Sequence, residues 1–295
     1  MNLIIDGSNL AYRVWKGSAF LSSSKGKPVG VVYGVINSIS SLLKTFKPQE
    51  VAIVWDGRPV FRKAVYPEYK GNRVRTEQEQ YDYNDVYIPQ LQELMKILPS
   101  LGVHQYRHYD AEADDVIATL VKHTGQYIIV TEDKDLLQLV SAYVSVYKPI
   151  RDRLVNEENF TESTQYDNPR QYLEARTLIG DTSDNILGID GIGEKRAFAL
   201  MQQYGTLKNM LQHKDELKKT KATARVADGE AVIGRNLVLM DLNMRGVAIG
   251  ITDEQLIFIE GKLVENELKT QFIKYEFFSF LKKFQEFVSP FRQLK

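Results

Sequence analysis

Nine acidic residues form five short clusters whose positions suggest a shared site. Four clusters follow a short apolar run or open the helix after one, and the fifth lies in a Gly-Asp-Thr-Ser-Asp-Asn loop; the residues are Asp6, then Asp56, then Glu112, Asp114 and Asp115, then Asp133 and Asp135, and finally Asp181 and Asp184. Ligands of an open parallel sheet gather outside the carboxyl ends of its strands, so these carboxylates are expected to converge. So many like charges stay ionised together only with cations between them, and Mg²⁺ or Mn²⁺ suits oxygen ligands. The pattern predicts metal-dependent phosphoryl-transfer chemistry.

Each of these acids also has a purely structural interpretation. Asp is a common helix cap, and Glu112, Asp114 and Asp115 would complement a helix N-terminus. Capping does not need several acids in succession, whereas two metal ions roughly 3.5–4 Å apart need several bridging carboxylates. On a helix, Glu112 and Asp115 share a face while Asp114 points about 100° away, which suits ligands of different ions or waters. The joint pattern favours metal ligation, although capping stays open for any single residue.

Short apolar runs alternate with amphipathic stretches, and these elements would position the acids. Strands are predicted at Leu3–Asp6, Val51–Asp56, Val103–Tyr106, Tyr127–Thr131 and Val144–Lys148, and helices at Val29–Lys44, Tyr87–Leu98 and Asp114–Lys122. This alternation predicts an α/β fold whose central, mostly parallel twisted sheet is flanked by helices. From about Asn168 the pattern becomes mostly helical.

Composition excludes several other kinds of site. The chain has no cysteine, so disulfides and zinc–thiolate sites are excluded, and its four histidines make a histidine-rich metal centre a poor fit. Met1 runs directly into the first predicted strand, and no apolar run approaches the roughly 20 residues of a membrane span. We therefore expect a cytoplasmic protein.

The formal net charge of zero, with 38 basic and 38 acidic residues, conceals segregated charge. The stretch from Arg58 to Asp85 is long and polar for a loop, and it alternates basic residues with tyrosines. That composition suits phosphate contact and base stacking, and its position after Asp56 favours a functional lid. A solvated, mobile insertion is the alternative.

A glycine-rich turn at Gly188–Arg196 precedes a predicted helix. Gly191 and Gly193 free the backbone to approach a ligand, and the helix N-terminus with Lys195 and Arg196 would hold a DNA phosphate. The alternative is a glycine C-cap followed by an ordinary helix. The phosphate interpretation is favoured because cations at a helix start oppose the helix dipole.

Several motifs together resemble the 5′ nuclease superfamily of phage 5′→3′ exonucleases, flap endonucleases and the 5′ nuclease domain of bacterial DNA polymerase I. In chain order they are Ile5-Asp6-Gly7-Ser8-Asn9, Trp55-Asp56-Gly57, Tyr69-Lys70-Gly71-Asn72-Arg73, Glu112-Ala113-Asp114-Asp115, Thr131-Glu132-Asp133-Lys134-Asp135, Gly180-Asp181-Thr182-Ser183-Asp184-Asn185 and Gly191-Ile192-Gly193. A later segment at Arg235–Asp241 resembles the phage enzymes, and the absence of an attached polymerase suggests a phage enzyme.

The resemblance implies roles for individual residues. Asp6, Asp56, Glu112 and Asp114 match the ligands of one metal cluster, and Asp133, Asp135, Asp181 and Asp184 match a second, with Asp115 near both. Asp6 and Asp115 thereby become catalytic residues, together with Lys70 and Arg73, which match basic residues that reach the scissile phosphate. DNA contacts are expected at Arg13, Arg58, Arg62, Lys63, Tyr69, Gly191, Gly193, Lys195 and Arg196. The turn at Gly188–Arg196 resembles a helix–turn–helix element that can hold K⁺.

The resemblance also implies a division of the chain. We expect a metal-binding nuclease core at 1–167 with a helical arch at about 58–98, and a mainly helical DNA-binding region at 168–250. A Phe-rich segment at 251–295 would pack back on the core, with partner binding as the minority interpretation.

The expected activity is that of a Mg²⁺-dependent 5′→3′ exonuclease and flap endonuclease, with Mn²⁺ as a substitute. It would hydrolyse branched or nicked DNA and RNA–DNA hybrids to 5′-phosphate products, in phage replication and primer removal. We expect a monomer with a single-strand-binding or clamp protein as partner and no membrane contact. A catalytically silent binder of branched DNA is the main alternative. A haloacid-dehalogenase-like phosphatase fits poorly, because Asp6 is followed by Gly7 and Ser8 rather than by an Asp two residues on.

Overall fold

The computed structural model describes residues 1–18, 21–244 and 250–295, without the side chains of residues 18 and 222. These residues form two compact units, each assembled from separate parts of the chain. Unit 1 contains Met1–Gly57, Arg75–Glu132 and Thr252–Lys295, and unit 2 contains Arg58–Val74 and Asp133–Ile251.

The strands among the described residues are short. They are β1 (Asn2–Asp6), β2 (Glu50–Trp55), β3 (His104–Arg107), β4 (Tyr127–Val130), β5 (Val144–Lys148), β6 (Arg153–Val155), β7 (Gly180–Asp181), β8 (Ile186–Leu187) and β9 (Ile257–Ile259).

Helices make up most of the remaining elements. The α-helices of the described residues are α1 (Gly7–Ser18), α2 (Gly30–Phe46), α3 (Val60–Val65), α4 (Glu77–Tyr81), α5 (Ile88–Ile97), α6 (Ala113–Leu120), α7 (Phe160–Thr164), α8 (Pro169–Ile179), α9 (Glu194–Tyr204), α10 (Leu207–Gln212), α11 (Lys214–Leu217), α12 (Lys221–Asp228), α13 (Glu230–Met240), α14 (Glu265–Lys274), α15 (Phe278–Lys282) and α16 (Phe284–Val288). A π-helical turn spans Asp82–Tyr87, and 3₁₀ turns span Leu98–Leu101, Asp135–Leu139, Asp253–Gln255 and Phe291–Gln293. Among the described residues, no helix is both long and apolar enough to cross a membrane.

Unit 1 contains the parallel sheet that the sequence predicts. Strands β4, β1, β2 and β3 lie side by side in parallel, and Ile5 pairs with Val130 on one side and with Ile53 on the other. β9 joins the far edge antiparallel to β3, and helices α1 and α6 contact the strands. The predicted α/β class with a mostly parallel sheet is therefore confirmed, and the predicted strand and helix ends agree within about two residues.

The Phe-rich segment contributes many of its rings to the interior of unit 1. Phe272, Phe287 and Phe291 are at most 7% exposed, and Phe280 stacks on Tyr33 of α2 with ring centroids 4.6 Å apart. Phe278, by contrast, is 63% exposed. The four rings buried here lie on four successive helical elements, so each of these elements contributes a ring to the interior of unit 1.

One contact of this segment predicts a pH dependence. The pKa of Glu93 is lowered to about 2, mainly because the Tyr275 hydroxyl donates to its carboxylate, while burial acts in the opposite direction. A lowered pKa stabilises the fold above the unfolded value of about 4.3, and this contribution is lost as the pH falls toward 2. Tyr275→Phe is expected to raise the Glu93 pKa in an NMR titration, whereas Tyr109→Phe, which alters an exposed tyrosine, should not. An unchanged Glu93 titration in Tyr275→Phe would contradict the assignment.

The predicted basic and tyrosine-rich stretch is shared between the two units. In unit 1, Thr76 caps α4 and accepts from the Glu79 backbone N–H, while the Glu79 carboxylate accepts from the Thr76 N–H. The π-helical turn then brings Tyr83 and Tyr87 to within 6.1 Å and 4.9 Å of Trp15, measured between ring centroids. The stretch contains helical elements; the expected arch and its role stay predictions.

Unit 2 is largely helical, as the sequence predicts from about Asn168. Helix α8 contacts α9 and α13. Leu173 of α8 and Leu239 and Met240 of α13 form an apolar cluster with Tyr69 and Ile186. Two short antiparallel pairs, β5 with β6 and β7 with β8, add the strands of this unit. The β7–β8 pair holds the loop that carries Asp181 and Asp184, so a feature absent from the sequence prediction positions two of the predicted ligands.

Candidate active site

The predicted acids fall into two groups, one in each unit. The first carboxylate group belongs to unit 1 and comprises Asp6, Asp56, Glu112, Asp114 and Asp115. The second carboxylate group belongs to unit 2 and comprises Asp133, Asp135, Asp181 and Asp184.

Asp6 ends the central strand β1 and is only 8% exposed. One carboxylate oxygen accepts from the Asn9 backbone N–H at 3.0 Å, and the other accepts from the Thr131 hydroxyl at 2.9 Å. Thr131 directly follows the neighbouring strand β4. Donors from two elements therefore fix the Asp6 carboxylate at the carboxyl end of the sheet.

Asp56 follows β2 and is tied to the start of α6. Its carboxylate accepts from the Ala113 backbone N–H at 2.9 Å, and its own N–H donates to the Ser8 hydroxyl at 2.9 Å. The next residue, Gly57, donates to the Ala111 carbonyl at 2.9 Å. Asp56 thus lies beside the helix start that carries the remaining acids of the first group.

Gly57 permits this close approach because it lacks a side chain. A Cβ at this position would lie 1.9 Å from the His108 carbonyl oxygen and 2.6 Å from that of Ala111, so the backbone would have to move. We expect Gly57→Ala to lower the free energy of unfolding by about 1–3 kcal/mol and to weaken metal binding by displacing Asp56. Calorimetry and Mn²⁺ titration measure both effects. Gly234→Ala on α13, where a Cβ meets open space, is the matched control, and a variant Gly57→Ala with wild-type stability would contradict this account.

Glu112, Asp114 and Asp115 gather at the start of α6. Each offers a carboxylate oxygen within 4.8 Å of the others, and Glu112 and Asp115 are buried; among the described residues this is the one group of three acids that meets such a distance. The Asp115 carboxylate also accepts from the Glu112 backbone N–H at 3.2 Å. The structure therefore shows Asp115 in a capping role, while its role as a metal ligand stays a prediction that the oxygen set of the three acids would suit.

Asp181 and Asp184 of the second group are tightly bonded in their loop. One Asp181 oxygen accepts from the Ser183 N–H at 2.8 Å and from the Ser183 hydroxyl at 2.5 Å, and the other accepts from Arg176 at 2.5 Å. Burial acts to raise the pKa of Asp181, but the Ser183 hydrogen bonds and the Arg176 charge lower it overall. Asp181 is thereby kept ionised.

The Tyr69–Arg73 segment is hydrogen-bonded to the loop that carries Asp181 and Asp184. Asp184 accepts from the Tyr69 hydroxyl at 2.8 Å and from Arg73 Nη2 at 2.6 Å. Lys70 Nζ lies 3.9 Å from the same carboxylate, and its backbone N–H donates to the Asp184 carbonyl at 2.9 Å. Lys70 has a left-handed φ of 57°, which is uncommon for a residue with a side chain. The structure therefore brings Lys70 and Arg73 to the second carboxylate group.

Asp133 and Asp135 lie close to two basic side chains that the sequence analysis did not predict as part of the site. Lys148, at the end of β5, donates to the Asp133 carbonyl at 2.6 Å, and Arg176 Nε lies 4.0 Å from Asp135. Both cations are only 8% exposed. The sequence contained one signal that could have identified Lys148 and Arg176: each is a single basic residue on a strand or helix face that is otherwise buried.

The predicted DNA contacts divide by exposure. Arg58, Lys63, Gly191, Gly193, Lys195 and Arg196 are exposed, and Arg13 is partly exposed and paired with Glu132 at 3.5 Å. Arg62 and Tyr69 are each only 2% exposed. Arg62 donates to the Leu239 carbonyl, and Tyr69 orients Asp184, so both contribute inside unit 2 rather than at a surface that DNA could touch.

Comparison with known proteins places both parts of the chain in one family. Residues 1–165 match the 5'-3' exonuclease N-terminal resolvase-like domain, and residues 167–260 match the 5'-3' exonuclease C-terminal SAM fold. The 5'-3' exonuclease of Aquifex aeolicus is 32% identical over 278 residues, which cover 90% of this chain and 92% of that protein. The thermostable DNA polymerase I of Thermus thermophilus is 36% identical over 221 residues, but they cover 73% of this chain and only 25% of the polymerase.

Solved structures of the T5 5'-exonuclease are similar in fold. The structure with bound zinc ions has a TM-score of 0.73 and 26% sequence identity, and the match covers 84% of this chain and 92% of that one. A complex of the T5 flap endonuclease with DNA and metal ions has a TM-score of 0.71 at 26% identity, with 84% and 92% covered.

The parallel sheet carries carboxylates at the ends of its strands, and the chain matches a 5'-3' exonuclease domain and a metal-binding exonuclease structure, so the protein is of the class of metal-dependent nucleases. Within that class, the chain belongs to the 5'-3' exonuclease family. The resemblance inferred from the motifs is thereby confirmed.

Proposed function

We propose that the protein is a Mg²⁺-dependent, structure-specific 5′ nuclease with 5′→3′ exonuclease and flap endonuclease activity, for which Mn²⁺ can substitute. Its substrates would be branched or nicked DNA and RNA–DNA hybrids, and its products would carry 5′-phosphates. The observation that carries the proposal is the convergence of Glu112, Asp114 and Asp115 within 4.8 Å at the start of α6. The T5 flap endonuclease, of similar fold, was solved with DNA and metal ions.

The first group would hold one ion through Asp6, Asp56, Glu112 and Asp114, and the second group would hold another. A bound divalent ion would supply a water of lowered pKa and stabilise charge on the phosphate. The chain's own residues would do the rest: hydrogen bonds to Asp6 and Asp56 keep these carboxylates in place, and Lys70 and Arg73 would neutralise charge that develops on the phosphate oxygens.

DNA would be held through phosphates rather than bases. The α9 N-terminus offers backbone N–H groups after Gly191, which has a left-handed φ of 79°, and Lys195 and Arg196 are exposed beside it. K⁺ could occupy the same turn. Phosphate contacts carry no sequence information, so selection would depend on DNA shape. Primer removal during replication, in a phage or its host, would use such an enzyme with a single-strand-binding or clamp protein as partner.

A double-flap DNA labelled at its 5′ end tests the proposal. We expect a labelled flap, cut near the junction, to be released with Mg²⁺ and not with chelator. Labelled mononucleotides alone would show an exonuclease without flap cutting. Binding without cleavage in Mg²⁺ would instead identify a catalytically silent DNA-binding protein and contradict the proposal.

A further inference from the structure

Arg176 stands in an unusual position in unit 2. It lies on α8 and is only 8% exposed. Its three side-chain nitrogens face three carboxylates: Nη2 lies 2.5 Å from Asp181, Nη1 lies 3.6 Å from Glu194, and Nε lies 4.0 Å from Asp135. Among the fully buried side-chain nitrogens and oxygens of the described residues, this Nε is the one atom without a hydrogen-bond partner.

The unsatisfied Nε points to an arrangement that is incomplete. A separation of 4.0 Å is too long for a hydrogen bond, and a buried donor without a partner costs free energy. One guanidinium is therefore shared among three acids and satisfies only Asp181 well. The Arg176 guanidinium can therefore move away from Asp135 with little loss of interaction energy, because the two groups share no hydrogen bond.

The chain's own cations already compensate the second carboxylate group. Lys70 and Arg73 lie at the Asp184 carboxylate, and Arg176 lies between the carboxylates of Asp135 and Asp181. Lys148 adds a buried positive charge nearby, where it donates to the backbone carbonyl of Asp133. A divalent ion held by Asp135 and Asp181 would meet the Arg176 charge at short range in a poorly screened site. Ion binding and the present position of Arg176 are therefore in competition.

We propose that Arg176 is the resident counter-ion of the second carboxylate group and that a divalent ion displaces it toward Glu194. Glu194 is the first residue of α9 and is 66% exposed at its side chain, so it can receive the guanidinium without burying a further charge. Arg176 is on this account a positioning residue that sets the affinity for the second ion. The inference depends on the proposed function, because it requires a second ion at this group.

This displacement would couple the second ion to DNA binding. Glu194 lies directly after Gly193, in the turn proposed to hold a DNA phosphate. When the Arg176 guanidinium moves toward Glu194, it neutralises the negative charge of Glu194, which would otherwise repel a DNA phosphate at this turn. Linkage is reciprocal, so DNA held at this turn would also favour the second ion.

Mn²⁺ binding in the absence of DNA tests the proposal. Electron paramagnetic resonance measures the concentration of free Mn²⁺, so the affinity is obtained without any catalytic turnover. We expect Arg176→Met to bind the second ion about tenfold more tightly than wild type, since a repelling charge is gone. Glu194→Gln should bind it several-fold more weakly, since the displaced guanidinium loses its partner. In the Arg176→Met background, Glu194→Gln should have no effect. Lys208→Met, a charge change at an exposed site of α10, is the matched control and should bind Mn²⁺ as wild type does.

Thermal unfolding gives an independent readout. Without metal, Arg176→Met is expected to lower Tm, because Asp135 and Asp181 lose their counter-ion, and added Mn²⁺ should raise its Tm by more than it raises that of wild type. If Arg176→Met does not fold, Glu194→Gln decides alone, and unchanged affinity for the second ion would overturn the inference. Wild-type protein that binds no Mn²⁺ at all would overturn the proposed function itself. Wild-type binding without tighter binding in Arg176→Met would overturn only the role of Arg176.

Discussion

Lys70→Ala is expected to lower the turnover of flap cleavage by about 10²–10³-fold while changing the affinity for uncleaved DNA by less than about tenfold. The reason is the placement of Lys70. Its backbone is fixed by the Asp184 carbonyl, and its ammonium group lies 3.9 Å from the Asp184 carboxylate. A charge held in advance stabilises the extra negative charge of the transition state, whereas ground-state DNA binding is distributed over many phosphate contacts.

Single-turnover cleavage of the double-flap substrate measures the first quantity, and fluorescence anisotropy in chelator measures the second. Lys63→Ala is the matched control, because Lys63 is an exposed lysine on α3 in the same basic stretch. We expect it to weaken DNA binding, more so at low salt, with turnover near that of wild type. Equal losses of turnover and affinity in Lys70→Ala would reject a transition-state role for this residue.

The strand ends and the acids attached to them could be predicted from the sequence because their signals are local. β1 and β2 are apolar runs that end at or just before an Asp, and the four residues from Glu112 to Asp115, where α6 begins, include three acids. Parallel pairing brings the carboxyl ends of such strands to one edge. The first carboxylate group therefore follows from sequence pattern and sheet geometry together.

Other features depend on contacts between residues distant in the sequence. β9 has only three residues and becomes a strand by pairing with β3, about 150 positions earlier in the chain. Arg62 and Tyr69 belong to a stretch whose alternating basic and aromatic residues predicted an exposed surface, yet both side chains are buried. Arg62 donates a hydrogen bond to the Leu239 carbonyl on α13, and the Tyr69 hydroxyl donates one to Asp184. Arg176 was missed for the same reason, since its three carboxylate partners lie on separate elements.

Asp114→Asn is expected to lower turnover by about a thousandfold, because loss of a charged ligand removes several kcal/mol of metal-dependent stabilisation. Among the three acids at the start of α6, Asp114 is the best position for this test. Glu112 and Asp115 are buried and share a hydrogen bond, whereas Asp114 is only partly buried. The replacement keeps the size of the side chain and removes one negative charge.

Stability distinguishes the two interpretations of Asp114. As a helix-terminal acid it contributes at most about 1 kcal/mol through the dipole of α6, and relief of repulsion from its neighbouring carboxylates offsets that loss. Tm in chelator is therefore expected to stay near wild type, while the rise in Tm on adding Mg²⁺ should shrink, since the ion stabilises the folded state only as far as it binds. Asp110→Asn, the same change four residues earlier, should leave both Tm and turnover near those of wild type. A large fall of Tm in chelator would assign Asp114 to helix stabilisation, whereas lost turnover with an undiminished Mg²⁺-dependent rise would remove it from the metal ligands.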